Sequence, residues 1–87
     1  GTYTQTTSDA SLIVTTTNCV ITLLPAVNYP GQILFVKNIT NNSLTSASSN
    51  VVPLASATAG TAILAATAGK YAMLQSNGSN WVVMMAN

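Results

Sequence analysis

Short apolar runs alternate along this chain with clusters of threonine, serine, asparagine and glycine. Runs of this length that are rich in valine, isoleucine and threonine and bounded by turn residues are typical of β-strands. The runs that predict strands are residues 12–16, 19–24, 32–37, 43–46, 51–54, 61–66, 71–75 and 81–85. We therefore expect an all-β fold, a small antiparallel β-sandwich or barrel of about eight short strands.

The strongest local signal is at residues 71–85, where two apolar runs flank Ser76-Asn77-Gly78-Ser79. Asn-Gly between two β-prone runs favours a type I′ turn, in which both central residues need positive φ. We expect an antiparallel hairpin. Alternation predicts that Ala72 and Leu74 point to one face of the first strand and that Tyr71 and Met73 point to the other. It also predicts that one face of the second strand carries Trp81, Val83 and Met85.

Neither strand of this hairpin has a polar face, and residues 32–37 are also apolar on both sides. A sheet that is apolar on both faces must be covered on both faces. A chain of 87 residues is barely long enough for one core. We therefore expect another copy of the chain to cover the other face.

Residues 10–87 are predicted to form this single β domain, and the polar residues 1–9 a lead-in from a preceding shaft or domain. Pro30-Gly31 favours a type II turn before the strand at 32–37. Residues 55–68 are rich in alanine, so a helix is the alternative there. Three threonines and Gly60 interrupt that window, and it has no charged residues to form i,i+4 pairs. We therefore favour strands and loops.

The chain carries only three charged side chains: Asp9, Lys37 and Lys70. A net charge of +1 without arginine excludes the basic surface of a nucleic-acid-binding protein. It also excludes the basic cluster that attaches proteins to anionic membranes. No apolar run approaches the roughly 18 residues that a membrane-spanning helix needs, so we expect no membrane insertion.

The chain contains few of the residue types that usually carry out catalysis. The chain has no histidine, one carboxylate side chain (Asp9) and one cysteine (Cys19). Ser-His and Cys-His pairs, a carboxylate pair and a zinc ligand set are therefore excluded within one chain. Cys19 has no intrachain disulfide partner and is expected to be a buried strand residue. We predict that the protein is not an enzyme and holds neither a metal nor a cofactor.

Three stretches of the chain resemble a known class of proteins: I-T-L-L-P at 21–25, P-G-Q-I-L-F-V-K-N-I-T at 30–40, and G-K-Y-A-M-L-Q-S-N-G-S-N-W-V-V-M at 69–84. The chain resembles the C-terminal domains of viral fibre and spike proteins, particularly phage tail fibres and the surface fibres of large DNA viruses. The resemblance covers residues 21–85. The chain departs from the pattern at residues 43–67, which are rich in alanine and serine and poor in aromatic residues.

The resemblance implies a β-rich homotrimer on the virion surface, at the distal end of a fibre. Such domains bind host-surface glycans or cap the shaft. In this chain Tyr29 would stack on a sugar ring, and Asn28, Asn41 and Asn42 would bind its hydroxyl groups. Trp81 and Tyr71 are a second aromatic candidate, although Trp81 is expected in the core. Two alternatives stay open: an isolated carbohydrate-binding module, and a structural trimerisation cap without a ligand.

Overall fold

A computed structural model describes residues 1–15 and 17–87. The described residues form nine strands and one short 3₁₀ helix, Ala26–Asn28. Thr16, predicted at the end of the first strand, lies outside the described residues. The strands are β1 Thr2–Thr4, β2 Ser11–Val14, β3 Cys19–Thr22, β4 Ile33–Asn38, β5 Leu44–Ser46, β6 Val51–Val52, β7 Ala62–Leu64, β8 Tyr71–Ser76 and β9 Trp81–Ala86.

The strands form two sheets. The four-stranded sheet has the order β1-β3-β5-β7, and the five-stranded sheet has the order β2-β4-β8-β9-β6. Successive strands alternate between the two sheets as far as β8, and β9 then remains in the same sheet as β8. Residues 1–9, which were expected to be a lead-in, contribute β1 to the four-stranded sheet. The all-β prediction is confirmed.

The sheets are mixed, so the prediction of antiparallel sheets is wrong. Four pairs are parallel: β1 with β3, β2 with β4, β3 with β5, and β6 with β9. The other three pairs, β4 with β8, β5 with β7 and β8 with β9, are antiparallel. The physical reason is the path of the chain. A segment that crosses to the opposite sheet and returns can re-enter beside its predecessor in the same direction.

One hydrophobic core draws on both sheets. Ile21, Leu44 and Leu64 come from the four-stranded sheet, and Leu34, Leu74 and Trp81 come from the five-stranded sheet. The Trp81 side chain is fully buried, and its Nε1 donates to the Leu24 carbonyl at 2.8 Å. This hydrogen bond ties β9 to the segment that follows β3. The expectation that Trp81 is a core residue is confirmed.

The predicted hairpin exists as β8 and β9, but its turn differs from the prediction. Gly78 has a φ of +89°, whereas no residue other than glycine has a positive φ in the described chain. A type I′ turn at Asn77-Gly78 is therefore wrong. Instead, the Asn77 carboxamide oxygen accepts hydrogen bonds from the Ser79 and Asn80 backbone amides at 2.9 and 2.8 Å. The side chain of Asn77 thus organises a four-residue loop, residues 77–80.

Two other local predictions hold. Gly31 has a φ of +84°, and the Gln32 amide donates to the Tyr29 carbonyl at 3.1 Å, as a type II turn at Pro30-Gly31 requires. Residues 55–68 contain the short strand β7 among turns and bends, and no helix. The preference for strands and loops over a helix in that window is confirmed.

Candidate functional site

The outer surface of the five-stranded sheet is unusually apolar. Along β4, Leu34, Val36 and Asn38 are buried, so the intervening Ile33, Phe35 and Lys37 point outwards. In β8, the buried residues are Ala72, Leu74 and Ser76. We use the name apolar face for the outward side chains of Ile13, Ile33, Phe35, Tyr71, Met73, Val82, Met84 and Met85.

The strand register makes the apolar face continuous. Phe35 is beside Met73, which is beside Met85, and a second row joins Ile33 to Val82 through Gln75. Five strands at a spacing of about 4.8 Å give a surface roughly 19 Å wide. Exposed fractions across it remain high: 44% for Phe35, 41% for Tyr71 and 61% for Ile13. Extended apolar patches of this kind mark interaction sites.

An irregularity in β9 enlarges the apolar face. The register shifts between the Met73–Met85 pair and the Leu74–Val83 pair, so Met84 is an extra residue in β9. Met84 and Met85 are 49% and 50% exposed, whereas Val83 is buried. The prediction that Met85 shares a face with Trp81 and Val83 is therefore wrong, because a β-bulge breaks the alternation of two.

A shallow groove crosses the apolar face over β2, β4 and β8. It has a volume of about 380 Å³, and its lining includes Ser11, Ile13, Phe35, Lys37 and Tyr71. Register places Lys37 between Ile13 on β2 and Tyr71 on β8. The Lys37 ammonium is thus a single cation among apolar and aromatic side chains. The groove can therefore contact both an apolar surface and one anionic group.

The outer surface of the four-stranded sheet is different. Its outward positions on β1 and β3 are Thr2, Thr4, Val20 and Thr22, all exposed. Thr45 and Ala62 continue this surface on β5 and β7. Threonine favours strands and keeps a hydroxyl group in water. This sheet therefore has an ordinary solvated outer face.

A second cavity opens between the edges of the two sheets, at β1 and β2. It has a volume of about 260 Å³ and is lined mainly by apolar side chains, among them Leu12, Val14, Cys19 and Leu44. Gly1 lies next to Cys19 in the register of β1 with β3, because Thr2 is beside Val20. A Cβ at Gly1 would meet no other atom within 4 Å, so the space beside this residue is open.

Asp9 lies in the loop between β1 and β2. Its Oδ2 accepts hydrogen bonds from the Tyr3 hydroxyl and the Thr6 backbone amide, both at 2.8 Å. The Thr6 amide, and after it the Tyr3 hydroxyl, lower the pKa of Asp9 below its ordinary value. The hydrogen bond to Asp9 raises the pKa of Tyr3. The carboxylate is therefore held in place in its ionised form.

The structure does not bring the four predicted glycan-binding residues together. Asn28 ends the 3₁₀ helix and Tyr29 follows it, so both precede β4. Asn41 and Asn42 lie in the loop after β4. A six-residue strand spans roughly 17 Å, so the two pairs lie near opposite ends of the five-stranded sheet. The Tyr29 side chain is also half-buried.

A buried side chain shapes the loop that carries Asn41 and Asn42. Asn38 is fully buried, and its Nδ2 donates to the carbonyls of Asn42 and Ala65. Its Oδ1 accepts from the amide and the hydroxyl of Thr40, at 3.0 and 2.9 Å. This asparagine therefore has a structural role, and it fixes the chain direction after β4.

The second aromatic candidate is also separated. Trp81 lies on the inner surface of the five-stranded sheet and Tyr71 on the apolar face, so they cannot form one platform. Sequence reasoning identified the apolar runs of β4, β8 and β9 but missed the place of Ile13 beside Lys37. The local signal for that pair was weak, because it depends on the parallel pairing of β2 with β4.

Comparisons with family models, with curated proteins and with solved structures found no significant match to this chain. In the described part of the chain, no three His, Cys, Asp or Glu residues cluster in a way that could hold a metal ion. None of its helices is long and apolar enough to cross a membrane.

Proposed function

We propose that this chain is a structural domain that assembles with copies of itself through the apolar face. The observation that supports this most directly is the exposure of Phe35, Tyr71, Met84 and Met85 on one continuous sheet surface. Covering such side chains removes apolar area from water, at roughly 25 cal/mol per Å². No segment of the described residues covers this surface.

The number of copies and the setting come from the resemblance to viral fibre domains. On that basis the assembly is a homotrimer that caps the distal end of a fibre on the virion surface. Two sheets around one core support a β-sandwich as the unit of assembly. Three such units would place their five-stranded sheets around the axis and their threonine-rich sheets in water.

Attachment to a host-surface glycan would be a second role of the same domain. Asn28 with Tyr29, and Asn41 with Asn42, would then act as two separate weak contacts and not as one site. Several copies on one fibre would make such contacts effective through avidity. No contact in the described residues favours this role over a purely structural cap, so the cap is the proposed function.

The test is the mass of the folded protein in solution. Sedimentation equilibrium and light scattering at micromolar concentration should give three times the chain mass of 8.9 kDa. Each interface should bury well over about 1,000 Å² of total surface. A stable, folded monomer at that concentration would overturn the proposal. A monomer that binds a glycan array would instead support an isolated carbohydrate-binding module.

A glycan array probed with the parent protein and Tyr29→Ala separates the two roles. Loss of binding in a folded Tyr29→Ala protein would add an attachment function to the cap. Absence of binding by the parent trimer would leave the structural role alone.

A further inference from the structure

Covering the apolar face creates an electrostatic problem at Lys37. This side chain lies in a row with Ile13 and Tyr71, and it lines the groove that Phe35 also lines. A second copy placed on this surface would remove water from the ammonium group. A cation that loses its water without gaining an anion is strongly unfavourable. An anionic group at Lys37 would offset this cost.

The chain offers one carboxylate side chain, Asp9. Its Oδ2 accepts hydrogen bonds from Tyr3 and Thr6, and the residue remains partly exposed to solvent. The two hydrogen bonds fix the position of the carboxylate without neutralising it. Asp9 is thus an oriented, partly exposed anion.

The two groups cannot meet within one copy. Ser11 on β2 lies beside Phe35 on β4. Asp9 precedes Ser11 by two residues, and Lys37 follows Phe35 by two residues, in parallel strands. The offset is therefore four residues, or roughly 13 Å along the strand direction. Asp9 lies in the loop that leads into β2, the edge strand of the five-stranded sheet, and Lys37 lies on β4, one strand further in.

We propose that Asp9 of one copy pairs with Lys37 of the neighbouring copy and so fixes the register of the assembly. This inference rests on the proposed function, because it needs the apolar face to be an interface between copies. Each copy would contribute one carboxylate at its edge and one ammonium on its face. If the rotation between copies closes, a head-to-tail contact of this kind forms a ring in which every pair is used once.

The remaining lysine has a different environment. Lys70 Nζ approaches the Asn87 carbonyl at 3.4 Å and lies in the loop before β8, outside the apolar face. Lys70 is therefore the matched control for Lys37. Both substitutions to aspartate change the net charge by the same amount, but only one changes the proposed ion pair.

The test is a charge exchange, with association measured by sedimentation velocity over a range of concentrations. Lys37→Asp and Asp9→Lys should each weaken association at least tenfold. The double variant, Asp9→Lys with Lys37→Asp, should recover association to within about threefold of the parent, since reversing both charges restores the attraction. Lys70→Asp should remain close to the parent. Circular dichroism of every variant checks the fold.

Neutral variants keep the test decisive if a reversed charge prevents folding. If Asp9 pairs with Lys37, the Lys37→Met substitution should weaken association, because Asp9 loses its partner. If the ammonium group has no partner in the assembly, the same substitution should strengthen association. Association of the parent should also weaken with added salt more steeply than that of Lys37→Met.

The possible failures can be told apart. A parent protein that stays monomeric overturns the proposed function and this inference together. A parent trimer that the double variant does not restore, or that Lys37→Met strengthens, overturns the ion pair alone and leaves the trimer in place.

Discussion

The two sheets share one core and differ on their outer surfaces. The four-stranded sheet presents Thr2, Thr4, Thr22 and Thr45 to solvent, whereas the five-stranded sheet presents aromatic, isoleucine and methionine side chains. Both residue sets favour extended strands, so strand formation does not explain the difference. Solvation does. Threonine hydroxyl groups keep one face solvated in a chain with only three charged side chains, whereas the other face exposes apolar side chains to water.

The largest expected effect concerns the hydrophobic core that the two sheets share. Trp81→Ala removes a fully buried indole and its hydrogen bond to Leu24, and should lower the free energy of unfolding by about 3–5 kcal/mol. Urea denaturation followed by circular dichroism measures this. Trp81→Phe keeps most of the buried volume and should cost less than half as much. Two separate unfolding transitions would contradict a single shared core.

The next effect separates the two outer faces. Phe35→Asp and Thr22→Asp each place one negative charge on the outward side of a central strand, β4 or β3. Phe35→Asp should weaken self-association by about 100-fold, or about 2.7 kcal/mol. Thr22→Asp should leave association nearly unchanged, because its face stays in water.

Sedimentation velocity with both variants at equal concentrations provides the measurement. Equal losses of association would remove the distinction between the faces. A larger loss for Thr22→Asp would assign the interface to the four-stranded sheet.

A smaller effect tests the β8–β9 hairpin, which belongs to the five-stranded sheet alone. Gly78 has a φ of +89°, so a side chain with a branched Cβ is strained there even though the nearest atom, Pro30 Cβ, lies at 3.8 Å. Gly78→Val should destabilise the fold by about 1 kcal/mol or more. Gly60→Val is the control, since Gly60 has an ordinary φ and open space around its Cβ position. Equal costs for both variants would contradict backbone strain at Gly78.

The smallest effect concerns pH and the hydrogen bonds that Asp9 accepts from Tyr3 and Thr6. The lowered pKa of Asp9 contributes stability above its unfolded value near 3.9, and this is lost as the pH falls through the folded pKa. The raised pKa of Tyr3 contributes stability below about pH 10, which is lost as the pH rises through its folded value. Between pH 5 and 9 the melting temperature should therefore stay nearly constant.

Differential scanning calorimetry from pH 2 to pH 11 checks this. Asp9→Asn should flatten the acid side of the profile, and Tyr3→Phe the alkaline side. A melting temperature that moves by more than a few degrees between pH 5 and 9 would disprove the expected plateau.

The parts of the fold that follow from local signals were predictable from the sequence. Residues 71–86 form a hairpin because two β-prone runs are joined by a short turn, and that information lies within sixteen residues. The turn itself was mispredicted, because the Asn77 side chain supplies acceptors that a dipeptide rule does not consider.

Strand pairing was not predictable in the same way. Thr2 is beside Val20, Ser11 is beside Phe35, and Cys19 is beside Leu44, at unequal distances along the chain. No regular spacing in the sequence indicates which strands pair. Successive side chains point to opposite faces in both parallel and antiparallel sheets, so their alternation does not indicate strand direction either.

The candidate site also has one part that local signals predict and another part that depends on strand pairing. The apolar face could be predicted from the two-sided apolar character of β4 and β8, because that property belongs to each strand alone. The neighbours of Lys37 depend on which strands lie beside β4 and could not be derived. The glycan candidates were chosen by residue type, and the sequence does not report that β4 separates Tyr29 from Asn41 and Asn42.

The position of the hairpin in the five-stranded sheet has a consequence for the order of folding. The hairpin lies between β4 and β6, so β6 has its strand partner, β9, thirty residues later in the chain, with Val51 beside Trp81. During synthesis, β4 and β6 leave the ribosome before the two strands that fill the space between them. Folding should therefore be slow, because it waits for non-local contacts. Until residues 71–86 are available, each nascent chain exposes two unpaired strand edges, and chaperones or neighbouring nascent chains would meet those edges first.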